Sequence, residues 1–250
     1  MDDESLVRME RILLATWPPL EVEERDGWVA GANGGFTGRA NSLTVLRRTD
    51  PAAAHDLAGW AEDWYAQRQA PPAIRVTPLS ENLKPVLAER GWEWWRNGAS
   101  VMVGNTLDLT AAEIPAGYTA DGAVMADAEW YELSGHDADA QNVLNAMFDG
   151  TSPISRHVSI RHEDSGMLAA IGRGVVSDGH LAIFGMETAP AHRRRGLATA
   201  VIGDLARWAT GLDADRVTLQ VEVGNDRAHS LYETLGFDDV YEYGYLALLA

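Results

Sequence analysis

Three closely spaced strand-like runs constrain this chain more than any other feature. Residues 158–161, 167–176 and 181–188 are apolar and rich in β-branched residues, and only the turn-forming segments 162–166 and 177–179 separate them. Pro190 then breaks the pattern. Residues 196–210 follow as an amphipathic helix with Leu197, Val201, Leu205 and Trp208 on its inward side. A strand at 217–223, a helix at 226–235 stopped by Gly236, and a last strand at 240–248 complete the second half. This order predicts an α/β chain built on a mixed sheet with helices on both faces. One or two further helices are expected within 126–148.

The first half carries the same kinds of element in a less regular order. Strands are expected at 28–30 and 43–46 around a Gly-rich turn at 31–38, at 74–77 and at 101–109. Leu57, Trp60, Ala61, Trp64 and Tyr65 recur at helical spacing within 51–69, and Ser80 is placed to cap a helix that Gly91 ends. A boundary falls near 110–117, so two parts are expected, 1–112 and 113–250. A length of 250 residues accommodates both. Trp60, Trp64, Trp92, Trp94 and Trp95 cluster in the first part, most of them as core or interface residues.

Composition removes several classes of function. Twenty basic against 37 acidic residues leave a formal charge of −17, which opposes binding to nucleic-acid phosphates. That charge suits a cationic small substrate or a basic protein tail. There is no cysteine, hence no disulfide, thiolate metal site or thiol nucleophile. The seven histidines show no metal-binding spacing, so no metal is expected. The acidic start and the shortness of every apolar run predict a cytoplasmic protein that does not enter a membrane.

Two segments carry chemistry. In the first, from Thr188 to Ala198, a strand ends, a proline turns the chain and a helix opens at Gly196. The backbone N–H groups from Arg194 to Ala198 have no helical acceptor, and with the helix dipole they form an anion site. Gly196 permits close approach of a phosphate, Ala198 keeps the first turn uncrowded, and Arg193, Arg194 and Arg195 add positive charge. In the second, Asn225 can cap the helix that follows. Tyr232 lies seven residues on, within about 20° of Asn225 and roughly 10 Å along the axis. Its ring can be buried beside Ala228, Leu231 and Leu235 while its hydroxyl reaches a cleft.

These segments resemble the two signatures of the GNAT superfamily of acyl-CoA-dependent N-acetyltransferases. Arg193–Ala198 matches the Arg-x-x-Gly-x-Ala pyrophosphate loop. Residues 225–237 match Asn-x-x-Ala-x-x-Leu-Tyr-x-x-x-Gly-Phe at every named position. The resemblance spans about residues 118–250 and implies a mostly antiparallel GNAT sheet with acetyl-CoA as acyl donor. It places the pantetheine arm along Met186, Glu187 and Thr188 and the pyrophosphate on Arg193, Arg194, Arg195, Gly196, Leu197 and Ala198. Asn225 would contact the cofactor, and Tyr232 would protonate the departing thiolate.

A base must also act, because deprotonating an alkylammonium at pH 7 costs about 4.6 kcal/mol. Ribosomal-protein alanine acetyltransferases carry a glutamate at the position of Gln220, and an amide cannot replace it. Glu222, Glu187 and a water chain are the alternatives. In the first half, 35–42 resembles an Arg-Ala-Asn-Ser stretch of a two-part GNAT subgroup, and Gly91-Trp92 echoes Gly236-Phe237. A degenerate GNAT-like half without the phosphate loop is therefore expected. Arg39 and Asn41 either line the acceptor cleft, Arg39 gripping a carboxylate, or merely stabilise a turn. The acceptor implied is a small-molecule amine; a protein N-terminus or lysine, and a non-catalytic acyl-CoA-binding module, are the alternatives. A monomer or a homodimer fits either.

Overall fold

The computed structural model describes residues 1–148 and 154–249. The first half contains α1 (Asp3–Thr16), β1 (Glu21–Arg25), β2 (Trp28–Ala32), β3 (Thr44–Val45), α2 (Pro51–Ala66), β4 (Ala73–Val76), α3 (Lys84–Glu89), β5 (Glu93–Asn105) and α4 (Thr106–Leu109). The second contains β6 (Tyr118–Ala123), α5 (Ala128–Ser134), α6 (Ala138–Phe148), β7 (Ile154–His162), β8 (Leu168–Ser177), β9 (His180–Thr188), α7 (Leu197–Thr210), β10 (Arg216–Glu222), α8 (Asp226–Thr234) and β11 (Asp238–Ala247).

Eight strands form one sheet in the order β4-β11-β5-β10-β9-β8-β7-β6, and β1, β2 and β3 form a small second sheet. Every neighbouring pair in the large sheet is antiparallel except β9 with β10. The two halves exchange their last strands: β5 lies against β10, and β11 lies between β5 and β4. The division expected at 112/113 falls in the connector between α4 and β6, while β5 and β11 cross it reciprocally.

Both exchanged strands start from the same motif. Gly91 and Gly236 have φ of +85° and +86°. The Trp92 N–H donates to the Leu87 carbonyl and the Phe237 N–H to the Tyr232 carbonyl, both at 3.0 Å. These are Schellman-type helix ends. They drop Trp92 and Phe237, each 2% exposed, into the core just before β5 and β11 begin.

Two apolar layers cover the large sheet. On one face α7 packs Leu197, Val201 and Leu205 against Ala170, Leu181 and Ile183. On the other, α5 and α6 bury Trp130, Leu144 and Met147 with Ile171, Val175, Ala182 and Phe184, and Trp17 joins them. Beside that layer, α1 and α2 enclose Trp28, Leu43 and Tyr65 with Ala99, Tyr243 and Tyr245.

Several expected elements differ. The strand at 101–109 begins earlier and stops at Asn105, whose side chain accepts from the Leu107 N–H at 2.9 Å and starts α4. Ser80 caps no helix; its hydroxyl bridges the Thr77 N–H and the Arg75 carbonyl. The acidic start is α1, capped by Asp2 and buried through Leu6, Met9 and Leu13. β1 is exposed throughout and β6 is a partly exposed edge strand, so neither has an apolar alternation to betray it. Trp64 and Trp92 are buried as expected, whereas Trp94 and Trp95 are 53% and 39% exposed.

Candidate active site

A kink in β9 creates the site. Ile171 pairs with Glu187 and Arg173 with Phe184, so Gly172 is opposed by two residues, Gly185 and Met186. Gly185 has φ +58°, the left-handed residue of a β-bulge. A Cβ there would lie 2.9 Å from Trp130, a second reason for glycine. The bulge turns β9 away from β10, whose pairing ends at Leu219↔Ile183. Beyond that point the strands diverge and leave backbone groups open.

The divergence opens into a cleft of about 480 Å³. Met186, Glu187, Thr188, Arg193, Arg194, Gly196, Leu197, Ala198, Asn225 and Tyr232 all line it. Thr199, Arg227, Ala228 and Leu231 line it too, though the sequence reading assigned none of them to the cofactor. Arg227 is the second residue of α8, and one turn of helix geometry from Leu231 would have found it.

The rim is the start of α7. Gly196 stands at its N-cap with φ +79° and makes no side-chain cap, unlike the capped starts of α1, α2, α4, α5 and α8. Arg194 also has positive φ, +60°, which bends the loop over the helix end. Arg193 is tied back to the strand end: its Nε donates to the Thr188 carbonyl at 3.1 Å and its Nη2 to the Glu187 carboxylate at 3.2 Å. Arg195 leaves the cleft. Its Nη1 donates to the Tyr118 hydroxyl at 3.1 Å, and that hydroxyl lies 2.9 Å from His192 Nδ1. It thereby braces the loop against β6.

The floor is α8. Asn225 caps it, accepting from the Ala228 N–H at 3.2 Å. Tyr232 is buried to 8% exposure against Phe237, and burial pushes its hydroxyl pKa up. That hydroxyl is therefore protonated at neutral pH. Ala228, Leu231 and Leu235 are only partly buried, because the first two line the open cleft.

The remaining expected residues sit on the opposite face of the sheet. Val217, Leu219 and Val221 of β10 face α7, so Gln220 and Glu222 face the other way. The Gln220 carbonyl accepts from the Tyr243 hydroxyl at 2.6 Å, and its buried Nε2 has no partner among the described residues. Glu222 is exposed at the end of β10. Arg39 stacks 4.7 Å above the Trp17 ring and 5.4 Å from that of Phe184, the residue before the bulge. Asn41 closes its own loop. It accepts from the Asn33 and Gly35 N–H groups at 3.0 Å and donates to the Phe36 and Thr37 carbonyls at 2.7 and 2.8 Å. One grouping of potential metal ligands occurs among the described residues, the mutually paired surface cluster His229, Glu233 and Asp239.

The sequence matches, over residues 5–246, the family described as "Probable histone acetyltransferase Rv0428c C-terminal". It is 27% identical over 251 residues to the "Uncharacterized N-acetyltransferase YobR" of Bacillus subtilis (strain 168), covering 98% of each protein. A GCN5-related N-acetyltransferase from Kribbella flavida superposes with a TM-score of 0.71 at 20% identity, over 96% of this chain and 94% of that one. A tandem GNAT protein from the clavulanic acid biosynthesis pathway gives 0.70 at 16% identity, over 95% and 86%. No helix among the described residues is long and apolar enough to cross a membrane. With the start of α7 and the Asn225–Tyr232 segment lining one cleft, the chain belongs to this acetyltransferase family and is an acyl-CoA-dependent N-acetyltransferase of the GNAT superfamily.

Proposed function

We propose that this protein moves an acetyl group from acetyl-CoA directly to the amine of a small acceptor, without an acetyl-enzyme. The observation that carries the reading is the cleft at the β9/β10 divergence, with the α7 start as rim and Tyr232 as floor. The residues present fit the cofactor: an uncapped helix start beside Arg194 and Arg227 suits a diphosphate, and the unpaired edge of β9 suits an amide-bearing arm. When bound, acetyl-CoA supplies the acetyl thioester.

The chain's own groups then divide the work. Open β9 amides near the bulge stabilise negative charge on an acyl oxygen. Tyr232 holds a proton for the leaving sulfur. Glu222 takes the proton of the acceptor ammonium. It is favoured over Glu187 because it lies on the sheet face away from the cofactor and engages no described basic side chain, whereas Glu187 is paired with Arg193. Arg39 lines the acceptor side from the first half, and Asn41 holds the loop that carries Arg39. The two parts, 1–112 and 113–250, act as one unit because each supplies a strand to the other's sheet.

Protein acetylation is the second reading, favoured by the −17 charge. The word histone in the family description refers to those proteins. Release of CoA thiol across a panel of free amines and basic peptides, with a thermal shift by acetyl-CoA, tests both. Turnover of small amines supports the proposal, turnover of peptides alone replaces it, and a thermal shift without turnover would identify a binding module.

A further inference from the structure

Arg173 is a buried cation without a counter-ion among the described residues. It sits in the middle of β8 at 3% exposure. Among the described residues its Nε and Nη1 have no hydrogen-bond partner and no carboxylate forms an ion pair with it. Burial depresses its pKa to about 9. The other fully buried guanidinium, Arg75, is paired with Glu10. Scarcity of carboxylates does not explain the difference in a chain with 37 of them. An unpaired buried charge is among the more costly features a core can hold.

Its surroundings connect it to the acceptor side. Arg173 pairs across the sheet with Phe184, which precedes the Gly185 bulge, and with His157 on β7. His157 brings no negative charge. Burial and the Arg173 charge hold its pKa down to about 4. The Arg173 guanidinium lies 3.4 Å from the centre of the Phe148 ring. Trp17 joins that ring, at 5.5 Å, to Phe184, at 5.1 Å. Arg39 stacks on Trp17 and Phe184 and likewise has no carboxylate partner among the described residues. Two guanidiniums therefore flank one aromatic group beside the point where β9 leaves β10.

We infer that the acceptor is an amino-acid-like molecule, an amine bearing a carboxylate, whose anionic group is held by Arg39 and Arg173. This rests on the acetyl-transfer reading. Guanidinium groups match the planar carboxylate, and the aromatic walls strengthen the attraction by excluding water. The overall negative charge of the chain is no obstacle, since the local field here is positive.

Matched acceptors test it. With saturating acetyl-CoA, kcat/KM is measured for amino acids, their carboxamides, and the aminophosphonates of the same skeleton. Acids are expected to exceed amides by about 10- to 100-fold. Arg39→Gln and Arg173→Met are each expected to bring that ratio close to one, chiefly through KM. Equal use of acids and amides by the wild type, or an unchanged ratio in Arg39→Gln, overturns the inference. A tenfold preference for the phosphonate overturns the carboxylate assignment. A second measurement does not need turnover: N-acetyl amino acids should raise the melting temperature and N-acetyl carboxamides should not. If no amine releases thiol, the acetyl-transfer reading fails, and this binding comparison still decides whether the anion site exists.

Discussion

The Glu187 carboxylate accepts a hydrogen bond from the Arg193 guanidinium at 3.2 Å, and both residues line the cofactor cleft. The pair joins the end of β9 to the loop that opens α7, and in the proposed function Glu187 holds that loop while Glu222 takes the proton. Glu222→Gln should therefore lower kcat/KM by about 100-fold with little change in the Kd for CoA. Glu187→Gln should keep most of kcat and alter the Kd for CoA. The reverse pattern in steady-state kinetics would exchange the two roles.

Tyr232→Phe removes one hydroxyl from a buried ring and changes little packing. Turnover should fall about 100-fold while the Kd for CoA stays within about twofold. Because burial raises the pKa of the hydroxyl, the wild-type activity dependent on it should persist across neutral pH. Isothermal titration and kcat measured on the same preparation check both points.

Gly196 has room for a side chain on the protein side, since its Cβ would approach only Pro115, at 3.7 Å. What forbids one is φ +79° and the ligand's need for the open helix start. Gly196→Val should weaken CoA binding by more than 100-fold, with strain of order 1–2 kcal/mol visible in chemical denaturation.

His157 provides a pH test of stability. Its folded-state pKa of about 4 lies below the ordinary 6.5, so the unfolded chain takes up the proton first. The contribution is fully present above pH 6.5 and is lost as pH falls through that interval to about 4. At the lower end the loss is about 3 kcal/mol. Urea midpoints measured from pH 7 to 4 should fall less steeply in His157→Phe than in the wild type.

Asn41 satisfies two N–H groups and two carbonyls of the loop that presents Arg39. Asn41→Ala should cost about 2 kcal/mol of stability and raise the acceptor KM with little effect on the Kd for CoA. Denaturation and bisubstrate kinetics separate these effects.

The lining of the cleft was largely legible in the sequence because its parts are local. A helix start is made by consecutive residues, so Arg193–Ala198 could be read as an anion site without knowing what packs behind it. Asn225 and Tyr232 share one helix, whose period places them on one side. The direction of the Arg195 side chain was not legible, because its partner, Tyr118, is 77 residues away. Glu222 and Gln220 could be assigned to a strand, while their face became known only once α7 was seen to cover Val217, Leu219 and Val221.

By itself, then, the sequence determined the strand–helix order of the second half, the family signatures and the uncapped helix start that rims the cleft. These depend on short-range periodicity and on backbone groups a few residues apart. Only the tertiary structure decided that β5 and β11 change places, that Asn41 is consumed by its own loop, and that Arg39 and Arg173 meet the same aromatic group with no carboxylate partner among the described residues. The first and last of these depend on which distant segments pair, which follows from the packing of the whole chain rather than from any local pattern; the Asn41 bonds join residues 33–41 and depend on the folded shape of that one loop.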